Sequence, residues 1–224
     1  MKQSKSIVLI GLILLSSSLL FSDGITNIGI KGGLNLTNFS ISGDTSDDPE
    51  FLDYHSRLDF CLGGFLEYEI EQKMFLQPEI LYTRKGATHE FHGGVTVNGQ
   101  AIYDGTNKGD HIVSYLQIPI LLKYRISDKI GLLTGPSIGI LLSHIEKLHF
   151  DGEYLGQSYS HDYEEDFNEY TNSTDFSLVI GGEYCLNKFV LDLRYDLSLS
   201  TLSKEEGENN FKNRVFSFLI GYKF

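Results

Sequence analysis

The stretch Phe216-Ser217-Phe218-Leu219-Ile220-Gly221-Tyr222-Lys223-Phe224 decides how the chain is read. In an extended strand successive side chains point to opposite faces. Phe216, Phe218, Ile220, Tyr222 and Phe224 therefore share one face, and Ser217, Leu219, Gly221 and Lys223 the other. A soluble sheet would bury the apolar face in a core. A strand closing a membrane barrel would turn it toward lipid, with aromatic rings at the interface. The choice rests on whether the pattern recurs, and it does.

Eight such strands are predicted, at 27–39, 57–70, 73–86, 110–126, 129–143, 174–186, 188–200 and 212–224. In the seventh, Phe189, Leu191, Leu193, Tyr195, Leu197 and Leu199 lie opposite Val190, Asp192, Arg194, Asp196, Ser198 and Ser200. In the second, Leu58, Phe60, Leu62, Leu66, Tyr68 and Ile70 lie opposite Arg57, Asp59, Cys61, Glu67 and Glu69. These runs exceed the roughly 9–11 residues that a tilted transmembrane strand needs. Connections alternate between tight hairpins, near Glu71-Gln72, Ser127-Asp128 and Asn187, and long segments at 40–56, 87–109, 144–173 and 201–211. Short periplasmic turns and long extracellular loops are how outer-membrane barrels are built. The fold class expected is all-β: an eight-stranded antiparallel up-and-down transmembrane β-barrel.

A soluble barrel would be apolar inside and polar outside. Here the charged face is expected to be the lumen, because its charges balance. Lys31, Arg57, Lys73, Lys123, Arg125, Lys129, Arg194 and Lys223 would meet Asp59, Glu67, Glu69, Glu79, Glu183, Asp192 and Asp196. Tyr68, Tyr124, Tyr184, Phe189, Tyr222 and Phe224 would form an interfacial girdle near the short turns. Tyr222 and Phe224 double as an assembly signal.

Residues 1–22 read as an export signal, with Lys2 and Lys5 before the apolar run Ile7–Leu15, leaving 23–224 as one barrel domain. No further domain is expected after Phe224. The whole chain carries 18 basic and 30 acidic residues, a net charge of −12, which is the wrong sign for nucleic-acid binding. Its 23 glycines, 13 tyrosines and 15 phenylalanines, with no tryptophan, suit a β protein rich in turns and aromatic belts.

Five segments resemble a known family: GIKGGLNLTNF at 29–39, LQPEILYTRKGA at 76–87, YLQIPILLKY at 115–124, TGPSIGILL at 134–142 and the terminal FSFLIGYKF. They are similar to the small outer-membrane β-barrel domain often called porin-family or PorT-like. The resemblance covers nearly all of 23–224 and implies fold and location in the bacterial outer membrane. The family carries no shared catalytic set to transfer. Pro78, Pro119 and Pro136 each remove a ladder donor, so local bulges are expected there.

Eight strands leave an interior that side chains can fill, which favours a structural charge network over a conducting path. All seven histidines, His55, His89, His92, His111, His144, His149 and His161, fall in or beside the outer loops and are expected to be solvated. His89-Glu-Phe-His92 has a metal-compatible spacing but no closed ligand set, so neither metal nor cofactor is expected. Asp162, Glu164, Glu165, Asp166 and Glu169 make an acidic loop without the ligand order of a calcium hand. Ser143 and His144 are neighbours, which on a strand places them on opposite faces rather than in a catalytic dyad. The expectation is a non-enzymatic, monomeric barrel displaying loops for binding, adhesion or envelope structure, with a narrow channel as the alternative. Its expected partners are outer-membrane lipid and lipopolysaccharide, the barrel-assembly machinery and an unknown extracellular ligand. Cys61 and Cys185 are expected at very different heights and therefore as two free thiols.

Overall fold

The computed structural model describes residues 24–42, 53–97, 100–155, 157–204 and 210–224. The expected signal segment, 1–22, lies outside them. Among the described residues there are ten strands: β1 Ile25–Ser42, β2 Asp53–His55, β3 Arg57–Glu71, β4 Met74–Val97, β5 Gln100–Arg125, β6 Ile130–Tyr154, β7 Gln157–Asp166, β8 Thr174–Leu186, β9 Phe189–Ser198 and β10 Asn210–Lys223. Eight of them close a ring in the order β1-β3-β4-β5-β6-β8-β9-β10, every pairing antiparallel, with β10 returning to β1. Closure leaves no barrel edge with unpaired backbone groups, which a lipid environment demands. β2 and β7 lie off the ring, on β4 and β6.

The polarity is that of a membrane barrel. Leu34, Leu58, Leu62, Ile80, Ile120, Leu132, Ile180, Leu193 and Phe218 are exposed on the outside. Lys31, Glu67, Glu79, Lys85, Lys123, Asp192 and Arg194 are buried inside. Tyr124, Tyr184, Phe189 and Phe224 are exposed near the short turns, and Tyr222 packs edge-on against Phe189 and Phe224, at 5.3 and 5.8 Å between ring centres. Two tight turns place Lys73 and Asn187 in the left-handed region, at φ 71° and 55°. Asn accepts that conformation at low cost.

Two expectations about the strands are corrected. The prolines produce no bulges: Pro78 pairs Ile120, Pro119 pairs Ser137 and Pro136 pairs Leu178 without a change of register. A proline deletes one donor, and the ladder on either side keeps its count. The second and third long connections are largely not loops. β4 and β5 continue as a hairpin through 87–97 and 100–109, and β6 continues to Tyr154 and folds back as β7. β5 and β6 stay paired from Tyr103 to His111, so β4, β5, β6 and β7 form one four-stranded blade above the membrane. Apolar alternation ends where lipid ends, and a strand wetted on both faces no longer needs it.

The shift that matters for the site lies in β6. Ser114 pairs Ser143 while Tyr115 pairs Leu141, so β6 carries one extra residue at Leu142. Such a bulge reverses the face of everything beyond it. Below it Gly131, Leu133, Ser137 and Gly139 are buried; above it His144, Glu146 and Leu148 are.

Candidate functional site

Among the described residues, three ion-pair clusters lie stacked along the barrel interior below the Arg57–Asp59 pair. Nearest the short turns, Lys123 Nζ bridges Glu67, at 2.5 Å, and Glu183, while Lys223 Nζ reaches Glu67 at 2.8 Å. Asn27 Nδ2 donates to the other Glu67 oxygen at 2.6 Å. In the middle, Lys31 lies 2.9 Å from Glu79 and 3.0 Å from Asp192, and Arg194 forks onto Glu79 at 2.6 and 2.8 Å while its Nε donates to Asp192 at 2.7 Å. Toward the outer mouth, Lys85 Nζ sits 3.0 Å from Asp175 and 3.1 Å from Asp196. The cavity left between Asn35, Cys61, Thr83, Gln117, Arg194 and Ser217 is about 20 Å³, room for roughly one water.

Of the residues expected in this network, Lys31, Glu67, Glu79, Lys123, Glu183, Asp192, Arg194 and Asp196 sit in these clusters. Arg57 and Asp59 pair at 3.4 Å nearer the mouth, where Arg84 also reaches Asp59 at 3.3 Å. Arg125 lies outside the three clusters, stacked on the Phe75 ring at 4.2 Å. Lys73, Lys129 and Glu69 are exposed at the turn rim rather than in the lumen, because Lys73 and Lys129 lie in the turns before β4 and β6 and Glu69 lies close to the end of β3. Lys85 and Asp175 were missed, although both follow the odd-numbered parity of their strands' inward faces. Cys61 and Cys185 are free.

Above the apolar belt the mouth is closed by side chains of a different kind. Phe39, Ala87, Val113, Tyr115 and Leu202 form an apolar lid over the ionic interior. On it sit three histidines that sequence reasoning had placed in solvated loops. His89 of β4 and His144 of β6 are buried, and His111 of β5 is nearly so. His55, His92, His149 and His161 are exposed, as expected. The aromatic rings of Phe39, Tyr54 and Phe167 pack around His111 with centre distances of 5.8–6.1 Å. His89 has its ring over Gly109, where an added Cβ would stand 2.0 Å from His89 Cε1.

These imidazoles are wired together. Thr171 Oγ1 donates to the Phe167 carbonyl at 2.7 Å and lies 2.6 Å from His144 Nδ1. His144 Nε2 is 3.3 Å from His111 Nδ1. His111 Nε2 and His89 Nε2 then converge on one oxygen, Glu146 Oε1, at 3.5 and 3.6 Å. These three donor atoms all lie within 4.8 Å of one another. Burial lowers all three imidazoles: His111 to about 3, with help from its neighbours His144 and His89, and His144 to about 4 against the pull of Asp166. Burial, reinforced by the charge of Glu165, pushes the Glu146 carboxyl up to about 7. With both nitrogens of His144 occupied by Thr171 and His111, Ser143 has no base to activate it. His89 also lines a cleft of about 780 Å³ that opens between the hairpins beside Lys108, His149 and Asp162. No sequence spacing announced this site, since its parts come from three strands and depend on the bulge at Leu142.

Several solved outer-membrane proteins are similar in fold. Ail, the attachment invasion locus protein of Yersinia pestis, is 16% identical, covering 88% of this chain and 98% of its own, at a TM-score of 0.37. OprG from Pseudomonas aeruginosa is 14% identical, covering 90% and 97%, at 0.35. The outer membrane protease OmpT from Escherichia coli is 9% identical, covering 89% and 98%, at 0.42. No curated protein matches the chain. The family model described as outer membrane protein β-barrel domain matches residues 21–204, which is most of the ring. With its closed antiparallel ring, lipid-facing apolar belt and ion-paired interior, the chain belongs to the outer membrane protein β-barrel domain family and resides in the bacterial outer membrane.

Proposed function

We propose that this chain is a plugged, non-enzymatic barrel that works by presenting its outer hairpins to an extracellular ligand. The observation that carries this reading is the filled interior. Among the described residues three ion-pair clusters occupy the interior and the void between them is about 20 Å³, and eight-stranded barrels in general are only wide enough for their own side chains. Function then falls to the blade of β4 to β7, whose outer strand β7 is exposed along its whole length. Binding residues commonly sit on such projections from a rigid scaffold.

The partners follow from the surface chemistry. The apolar belt suits outer-membrane lipid, with lipopolysaccharide around the outer half. The aromatic end of β10, with Tyr222 and Phe224, suits recognition by the barrel-assembly machinery. A ring with no open edge suits a monomer.

Planar-bilayer recording on the purified barrel tests the reading. Silence is expected; reproducible single-channel steps would replace it with the narrow-channel alternative. An unchanged lipid A mass spectrum on overexpression is expected too, and an altered one would make the chain a lipid-modifying enzyme. Surface pull-downs with the full barrel, but not with one trimmed of 91–107 and 147–164, should then recover the ligand.

A further inference from the structure

We infer that His89, His111 and Glu146 form a binding site for one divalent first-row transition-metal cation of the zinc type, at the outer mouth of the barrel. The proposal goes beyond the display of hairpins and does not depend on it.

The hydrogen-bond chain fixes which nitrogens are free. A carbonyl only accepts, so the Thr171 hydroxyl gives its proton to Phe167 and must accept from His144 Nδ1–H. The His144 Nε2 lone pair then accepts from His111 Nδ1–H. A neutral His111 is left with a bare lone pair on Nε2, directed at Glu146 Oε1. His89 Nε2 approaches the same oxygen. The lone pair of His111 and the carboxylate oxygen can share either a proton or a metal cation, and the arrangement of ligand atoms suits the cation.

The spacing fits such a centre. A tetrahedral cation at about 2.0–2.1 Å from each ligand separates neighbouring ligand atoms by roughly 3.4 Å. The two separations to Glu146 Oε1 are 3.5 and 3.6 Å, and the two imidazole ligand atoms lie within 4.8 Å of each other, so small side-chain shifts bring the set to that spacing. The remaining nitrogen of His111 is held by His144, itself held by Thr171, which is the outer-shell support that metal-bound histidines regularly show. Gly109 supplies the space that the His89 ring needs, and Nδ1 of His89 is buried without a partner.

The donor set selects the cation. Two imidazoles and one carboxylate suit zinc, nickel, copper or cobalt in the divalent state, whereas calcium requires six to eight oxygens. His89, alone of the three ligands, lines the outer cleft, which gives a cation a way in. The three ligands stand on adjacent strands, β4, β5 and β6, so the ion would staple the foot of the blade to the barrel mouth.

Isothermal titration of the full barrel, folded in detergent micelles, with Zn²⁺ decides the matter. One equivalent should bind, and Co²⁺ should give a tetrahedral visible spectrum displaced by Zn²⁺. Glu146→Gln and His89→Gln should each weaken binding at least tenfold, and Thr171→Val about tenfold through its positioning of His144. His149→Ala, at the exposed His149–Asp162 pair, should leave affinity unchanged. Heat-modifiable migration confirms that each variant is folded. Absence of stoichiometric Zn²⁺ binding by the unaltered barrel would overturn the proposal. So would binding that survives both ligand substitutions, or that disappears in His149→Ala.

Discussion

Lys85 of β4 and Asp175 of β8 meet across the barrel interior, Nζ to Oδ2 at 3.0 Å, and Asp196 of β9 completes the group from the side at 3.1 Å. One cation thus serves two buried carboxylates. Replacing it, as in Lys85→Met, leaves both without a counter-charge and should cost roughly 3–5 kcal/mol. Urea unfolding in micelles measures the loss. Adding Asp175→Asn and Asp196→Asn should restore most of it, and an unaltered unfolding midpoint for Lys85→Met would contradict the role assigned to the cluster.

The mouth should respond to pH in two opposed ways when chelator keeps metal away. His111 and His144 titrate lower in the folded chain than the ordinary 6.5, so their contribution is present above that value. It is lost as pH falls toward about 3 to 4. Glu146 titrates higher, at about 7 against 4.5, so the folded state is penalised as pH rises from 4.5 through 7. Around these groups stand Asp110, Glu165 and Asp166, whose charges enter the same balance, and Tyr54, which stays neutral throughout. Glu146→Gln should therefore stabilise the barrel at pH 8, by roughly 2 kcal/mol, and have little effect at pH 4. Equal effects at the two pH values would show that Glu146 is not the titrating group.

Topology makes a separate test. Cysteine introduced at Glu165, on β7, should react with a membrane-impermeant maleimide on intact cells, and one at Ser127, in the turn before β6, should not. Reaction at position 127 without permeabilisation would invert the barrel.

The end of the chain should control assembly. Phe224 N–H donates to the Ile28 carbonyl at 3.0 Å, and Tyr222 pairs with Ile30 and Phe189. Removing 222–224 strips the last rungs of the β1–β10 seam, so the product should accumulate uninserted, without heat-modifiable migration.

Cys61 is buried at mid-height, and Cys185 lies at the short-turn end beside Glu183 and Lys223. Maleimide applied to denatured, unreduced protein should add two labels; a protein that takes none has its strands placed otherwise.

The ring was legible because lipid and lumen impose opposite demands on alternate residues, and a chain such as Phe189–Ser198 cannot meet both without displaying the rule. The same rule extended one step would have found Lys85 and Asp175. It could not find the mouth. Once past the belt, Gly94 or Thr106 is free to face either way, so the hairpins read as loops. The three histidines looked solvated because each was viewed on its own strand, whereas their burial comes from Phe39, Tyr54 and Phe167, far apart in the chain. Nothing in the composition near Leu142 announces a bulge, and without it His144 and Glu146 would be assigned to the wrong side.

That one inserted residue gives β6 the character of a shaft with a half-turn coupling. Deleting Leu142 would leave the lipid-facing half, Ile130 to Ile140, in place and rotate the outer half above it. Ile145 and Lys147 would swing toward the axis, and His144 and Glu146 toward the surrounding medium. The strand would still span the bilayer and the barrel would still close, yet its mouth would present a different set of groups. Lineages carrying this barrel can in this way exchange the chemistry of their outer surface by gaining or losing a single codon, with no change in the part that the membrane inspects.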